Sequence, residues 1–154
     1  MIITLILKSM RKIIFRAKRI KTGAWVYGDL VQRRERDCYI WSKERGKMVS
    51  CKVDPKTVGQ FTGMLDTKGN PIYEGDILKD GEQELFHYVA YDEENVCFVV
   101  KSRWVCARFD KGWIEHCGKF VTGNIHDDCS LFENLKLADN NFDNPGLLKG
   151  AEYE

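Results

Sequence analysis

The chain has 154 residues, 44% apolar and 31% charged, and a net charge of +1. That balance excludes a disordered or membrane-embedded chain and is enough for one domain with a sizeable core. The charge is lopsided: residues 1–52 carry 14 Lys/Arg against 4 Asp/Glu, and residues 53–154 carry 10 against 19. Such asymmetry marks either a basic nucleic-acid face or two halves that neutralise each other within one domain, and the second reading is preferred.

In chain order, Ile2 to Leu7 is a short apolar run, far below the roughly 20 residues of a transmembrane helix. A dense basic run follows it where a signal peptide would place a small-residue cleavage site. Residues 1–10 read either as an over-extended start, with the natural beginning at Met10, or as an extra edge strand. Short β-rich runs bounded by turn residues then dominate: "KIIFRAK", "AWVYGDLVQ", "DCYIW", "KMVSCKV", "DIL", "ELFHYVAY", "VCFVV", "RWVCARF" and "GKFVTGNI". Runs this short and this close predict a small barrel or a strongly bent antiparallel sheet. In "AWVYGDLVQ" the residues Trp25, Tyr27, Asp29 and Val31 alternate with Val26, Gly28 and Leu30. Asp127 to Ala138 is the best helix candidate, with an aspartate to cap it and Leu131 and Leu135 facing inward. A single domain is expected over 11–138, followed by a flexible polar tail over 139–154.

The stretch "TVGQFTGMLDTKGNPIYEGDIL" has the most unusual composition. Its glycines do not follow G-x-G-x-x-G or the P-loop spacing, so it is not read as a nucleotide site. Turn chemistry explains it instead. Asp66 suits the first position of a type I turn, and Gly69 the left-handed position that closes a hairpin. Pro71 sits where the chain leaves that turn. Gly75 and Asp76 form a second tight turn. Gly59 and Gly63 flank a short strand, "QFT".

Organised catalytic or metal chemistry is not visible. Cys97, Cys106, His116, Cys117, His126 and Cys129 gather within one third of the chain, without the paired close spacing of zinc sites. The six cysteines are read as reduced thiols of a cytosolic protein. Glu74 and Asp76 are the most suggestive carboxylate pair, and capping and turn formation is the preferred reading of them. A small hydrolase built on that pair, or on a Cys–His pair, is the third functional reading. A nucleic-acid face is the second. It would use Arg11, Lys12, Arg16, Lys18, Arg19, Lys21, Arg33, Arg34 and Arg36, with Phe15, Trp25, Tyr27 and Tyr39 as stacking groups.

The blocks "IIFRAKRIKTGAWVYGDLV", "VDPKTVGQFTGMLDTKGNPIYEGDIL" and "FVTGNIHDDCSLFEN" resemble, in order, the YopX family of phage and prophage proteins. The resembling positions are Gly59, Gln60, Phe61, Thr62 and Gly63, then Asp66 and Gly69, then Tyr73, Glu74, Gly75 and Asp76, then Gly123 and Asn124. The "HDDCSLF" that follows departs from the family's usual ending. The resemblance implies a β-rich fold related to SH3-like barrels and a mobile-element origin. It implies no catalytic motif and no cofactor. The expectation is therefore a mainly β protein, either a small SH3-like barrel or a strongly bent antiparallel sheet with strand additions and a short C-terminal helix. Its leading functional reading is a non-enzymatic protein-interaction module with a phage or bacterial-host partner. Homo-oligomerisation through an uncovered strand edge is a further alternative. Gly69→Val should lower thermal stability, because valine resists the positive φ that the hairpin needs; an unchanged melting temperature would contradict the hairpin.

Overall fold

A computed structural model describes residues 10–34, 37–81, 85–102, 106–128 and 130. Residues 1–9, most of the expected Asp127–Ala138 helix and the tail over 139–154 lie outside the described residues. The protein is mainly β, as its sequence indicates, with two antiparallel sheets. Where one domain was expected over 11–138, the backbone groups into two compact units, Met1–Gly63 and Met64–Glu154.

In the first unit, β1 (Phe15–Lys18), β2 (Trp25–Arg34), β3 (Asp37–Glu44), β4 (Lys47–Val53) and the larger part of β5 (Gly59–Leu65) lie in the order β4-β3-β2-β1-β5. The β3–β4 connection is a two-residue hairpin. Glu44 faces Lys47, and both Arg45 (φ 48) and Gly46 (φ 81) are left-handed, the mirror-image turn whose twist suits antiparallel strands. Alternation along the strands sends Ala17, Val26, Cys38, Ile40, Cys51 and Val53 to one face, where they are buried together. Phe15, Leu30, Val49 and Val58 pack against them. Gly28 is required on this sheet, because an added Cβ would overlap the Trp41 carbonyl.

Neither sheet closes into a barrel among the described residues, so the open, bent alternative is the one adopted. The first sheet bends far enough that the chain leaving β1 reaches the end of β4. Arg19 bridges Val53, Ile20 N donates to Lys52 O at 3.2 Å, and Asp54 N donates to Lys18 O at 2.9 Å. A 3-10 turn, Pro55–Thr57, secures the junction. Lys18 N donates to the buried Thr57 hydroxyl at 2.8 Å, and that hydroxyl donates to Asp54 O at 2.8 Å.

In the second unit, the chain passes through β6 (Pro71–Tyr73), β7 (Asp76–Lys79), β8 (Phe86–Asp92), β9 (Cys97–Lys101), β10 (Cys106–Arg108), α1 (Lys111–His116) and β11 (Phe120–Asn124). Five of these strands form a sheet in the order β10-β9-β8-β7-β11. One face buries Leu78, Val89 and Val100 with Ile72, Phe109 and Ile114. The other carries Ile77 and Tyr88. The helix was not anticipated from the sequence. Asp110 caps it by accepting from Trp113 N at 2.9 Å, Ile114 anchors it, and Gly118 (φ 58) follows its end.

Thr57→Val keeps the side-chain shape and removes the acceptor for Lys18 N. Urea unfolding should show a loss of about 1–2 kcal/mol, restored in Thr57→Ser. Equal stability of Thr57→Val and the parent would remove the junction from this account.

Candidate functional site

The second face of the first sheet is assembled by register. The pairs Arg16–Tyr27 and Lys18–Trp25 join β1 to β2. Asp29–Trp41 and Val31–Tyr39 join β2 to β3, and Trp41–Ser50 and Tyr39–Lys52 continue to β4. Trp25, Tyr27, Trp41 and Tyr39 therefore share one face, opposite the Ala17–Val53 core. Two of the rings are flanked by cations. The Arg16 guanidinium lies 4.8 Å and the Lys18 ammonium 5.5 Å from the Trp25 centroid. The Arg33 guanidinium lies 5.6 Å and the Lys52 ammonium 5.8 Å from that of Tyr39. Between them, Tyr27 and Trp41 remain 46% and 41% exposed.

The structure divides the basic residues singled out in the sequence. Arg16, Lys18 and Arg33 join this face. Arg11, Lys12 and Lys21 are exposed and outside the regular strands. Arg19 pairs back to Val53, and Glu44 engages its guanidinium. Arg34 ends β2, its side chain lying outside the described set, as does all of Arg36. Lys43 and Lys52 were missed, because only the β3–β4 register places them here. Arg19 with Glu44, and Lys52 with Asp37 at 3.1 Å, are pairs internal to the first unit.

The glycine- and acid-rich stretch builds turns. Gln60 lies opposite Phe15 and Gly59 opposite Arg16, while Phe61 N donates to Ile14 O at 2.8 Å. Thr62 and Gly63 continue the same strand, which is longer than the expected "QFT". Asp66 is buried and accepts from Lys68 N, Asn70 N, Asn70 Nδ2 and Val121 N at 2.8–3.0 Å. Burial alone would raise its pKa; those hydrogen bonds outweigh it and hold the carboxyl below the usual range. Gly69 takes φ 84. Asp76 is buried, accepts from Tyr73 N at 2.8 Å and lies 3.4 Å from Asn124 Nδ2. Gly75 N donates to Val89 O, and Ile125 N to Gly75 O. Gly123 and Asn124 pair with Ile77 and Asp76, so two separate landmarks meet on one ladder. Glu74 is half-buried beside them.

The family model described as YopX protein matches residues 14–133. The chain belongs to the YopX family. Its fold is similar to that of protein EF1440 from Enterococcus faecalis, with a TM-score of 0.57, 20% identity, and coverage of 79% of this chain and 99% of that one. No curated protein matches it. Identity this low carries the fold alone.

This YopX chain also holds a buried polar centre that the sequence reading missed. Lys119, 1% exposed, places Nζ 3.0 Å from Asp80 Oδ2, 3.4 Å from His87 Nδ1 and 5.0 Å from the Trp113 centroid. The His87 and Trp113 rings meet edge-on at 5.1 Å. Charged Lys119 can only donate, which leaves His87 Nδ1 as acceptor and its proton on Nε2. Among the described residues, no group of three or more His, Cys, Asp and Glu side chains could hold a metal ion. Nor is any helix among them long and apolar enough to cross a membrane. A groove of about 550 Å³ lies along Asp92, Asn95, Cys97, Val99, Cys106 and Arg108.

Burial, then the neighbouring Lys119 charge, lower the His87 pKa from 6.5 to about 4, with Asp80 opposing them. Between these values the unfolded chain takes up a proton that the folded one refuses. The His87 contribution to stability should therefore fall from pH 6.5 to about 4, by about 3 kcal/mol in all. Urea midpoints across this range should depend less on pH in His87→Gln, by close to one proton; an unchanged slope would contradict the assignment.

Proposed function

We propose that this YopX protein is a non-enzymatic binding module that holds a macromolecular partner against the outer face of β1–β4. The observation carrying this reading is the shared face of Trp25, Tyr27, Trp41 and Tyr39, two rings flanked by cations and two exposed. Aromatic residues and Arg are the groups that concentrate binding energy at interfaces. The sheet beneath is fixed by its apolar inner side, so the contact surface is preorganised. Two carboxylates of the glycine-rich stretch support a structural reading over an enzymatic one: Asp66 and Asp76 accept from backbone N–H groups of their own turns. A phage or prophage origin is supported by the family. A cytoplasmic setting is supported by the free thiols of Cys38, Cys51, Cys97, Cys106 and Cys117.

The test uses immobilised protein and extract from a bacterial host, with retained protein and nucleic acid both quantified. Tyr27→Ala/Trp41→Ala should retain roughly tenfold less of the specific partner, a loss of about 1.4 kcal/mol, with unchanged circular dichroism. Equal retention by parent and variant would contradict the binding face.

A further inference from the structure

We infer that the occupant of this face is single-stranded nucleic acid; the inference rests on the binding-face reading above and names its partner. The register gives the four rings a definite order. Along the strand axis, Trp25 stands at the first level and Tyr27 at the next. Trp41, opposite Asp29, stands at the third, and Tyr39, opposite Val31, at the fourth. Each level is two residues from the last, so neighbouring rings are about 7 Å apart along the axis and the row spans about 20 Å. The row also steps sideways from β2 to β3 between Tyr27 and Trp41. It is an oblique track of regularly spaced flat surfaces.

Cations stand at both ends of the track. Lys18 stands at the Trp25 end, where Arg16 is buried over the ring at 7% exposure, and Arg33 and Lys52 stand at the Tyr39 end. Lys43, facing Met48 beside the track, adds a third position. Against Lys18, Arg33, Lys43 and Lys52 the face carries Asp29 and Asp37, and Asp37 is already paired with Lys52. That pair is exposed, with side-chain exposures of 33% and 52%, so a phosphate can compete with the carboxylate at little cost. Elsewhere among the described residues the arrangement differs: Lys68 stands over Phe120 and Lys79 over Phe86 as separate pairs.

An extended polyanion with a flat group at each repeat matches this pattern. Bases stack on aromatic rings without regard to sequence, while Lys and Arg follow the backbone. Sheets that present aromatic residues to splayed bases use the same principle. A duplex fits poorly, because its bases stack on each other and turn their faces away from an outer sheet surface. An acidic protein would satisfy the cations but would leave the regular spacing of the rings without a purpose.

Fluorescence anisotropy with labelled 12-nucleotide dT and U strands, a duplex of equal length and heparin tests this. The parent should bind the single strands at least tenfold more tightly than the duplex. Trp41→Ala and Tyr27→Ala should each weaken binding at least fivefold with the fold intact. Lys18→Gln and Lys52→Gln should each reduce the salt dependence by about one phosphate contact. Equal affinity for heparin and duplex, with aromatic variants unaffected, would overturn the inference in favour of charge alone. No binding of either strand, together with Trp41-dependent retention of a protein from extract, would overturn it and leave the binding face standing. No binding of the strands and no Trp41-dependent retention would remove both.

Discussion

The meeting of the end of β1 with the end of β4 is the constraint on which the rest of the first unit depends. Arg19 reaches Val53, Ile20 reaches Lys52 and Asp54 reaches Lys18, with the Thr57 hydroxyl fixing the corner. Strands twist on their own, but a twisted sheet need not bend this far. Holding the end of β1 against the end of β4 gives these four strands an inside and an outside. The inside is narrow, and the side chains there are compact: Ala17, Val26, Cys38, Cys51 and Val53, with Ile40 the largest of the buried set. The outside receives every alternate residue, including four aromatic rings. The same backbone bonds that define the core thus determine which large side chains meet solvent.

Buried charge has a different use in the second unit. Asp66 and Asp76 are acceptors for backbone N–H groups in turns that a shorter or neutral side chain would leave unsatisfied. Lys119 is the opposite case: a buried cation whose partners, Asp80 and His87, come from the β7–β8 region. Its main-chain oxygen accepts from Thr67 N and Thr67 Oγ1, so the Asp66 hairpin and the start of β11 are joined by backbone as well as side chain. The YopX landmarks around Asp66, Gly75 and Asn124 are accordingly far apart in sequence and adjacent in this unit.

Much of the fold is legible in the sequence, because its signals are local. Asp66 and Gly69 announce a hairpin whose hydrogen bonds span five residues, and "KMVSCKV" coincides with β4. What is not legible depends on distant neighbours. Trp25, Tyr27 and Tyr39 can be singled out as stacking groups, but Trp41 is missed and Phe15 packs on the core instead, because the common face needs the strand register. Lys52 reads as one more solvated lysine until Tyr39 is placed opposite it. Arg19, one of a run of cations, turns away to Glu44. The short α1 helix escapes because six residues give too little periodicity, although Asp110 and Gly118 bracket it. Lys119 escapes because nothing local marks a lysine for burial.

On the proposal made above, the bent sheet presents its aromatic row as a binding surface for single strands. The most direct measurement is a ¹⁵N–¹H correlation titration of the protein with a 12-nucleotide dT strand, following the tryptophan indole signals. Saturable shifts of Trp25 and Trp41 are expected, with Trp113, edge-on to His87 in the second unit, unmoved. Shifts confined to Trp113, or no movement of Trp25 and Trp41 at saturating strand, would contradict it.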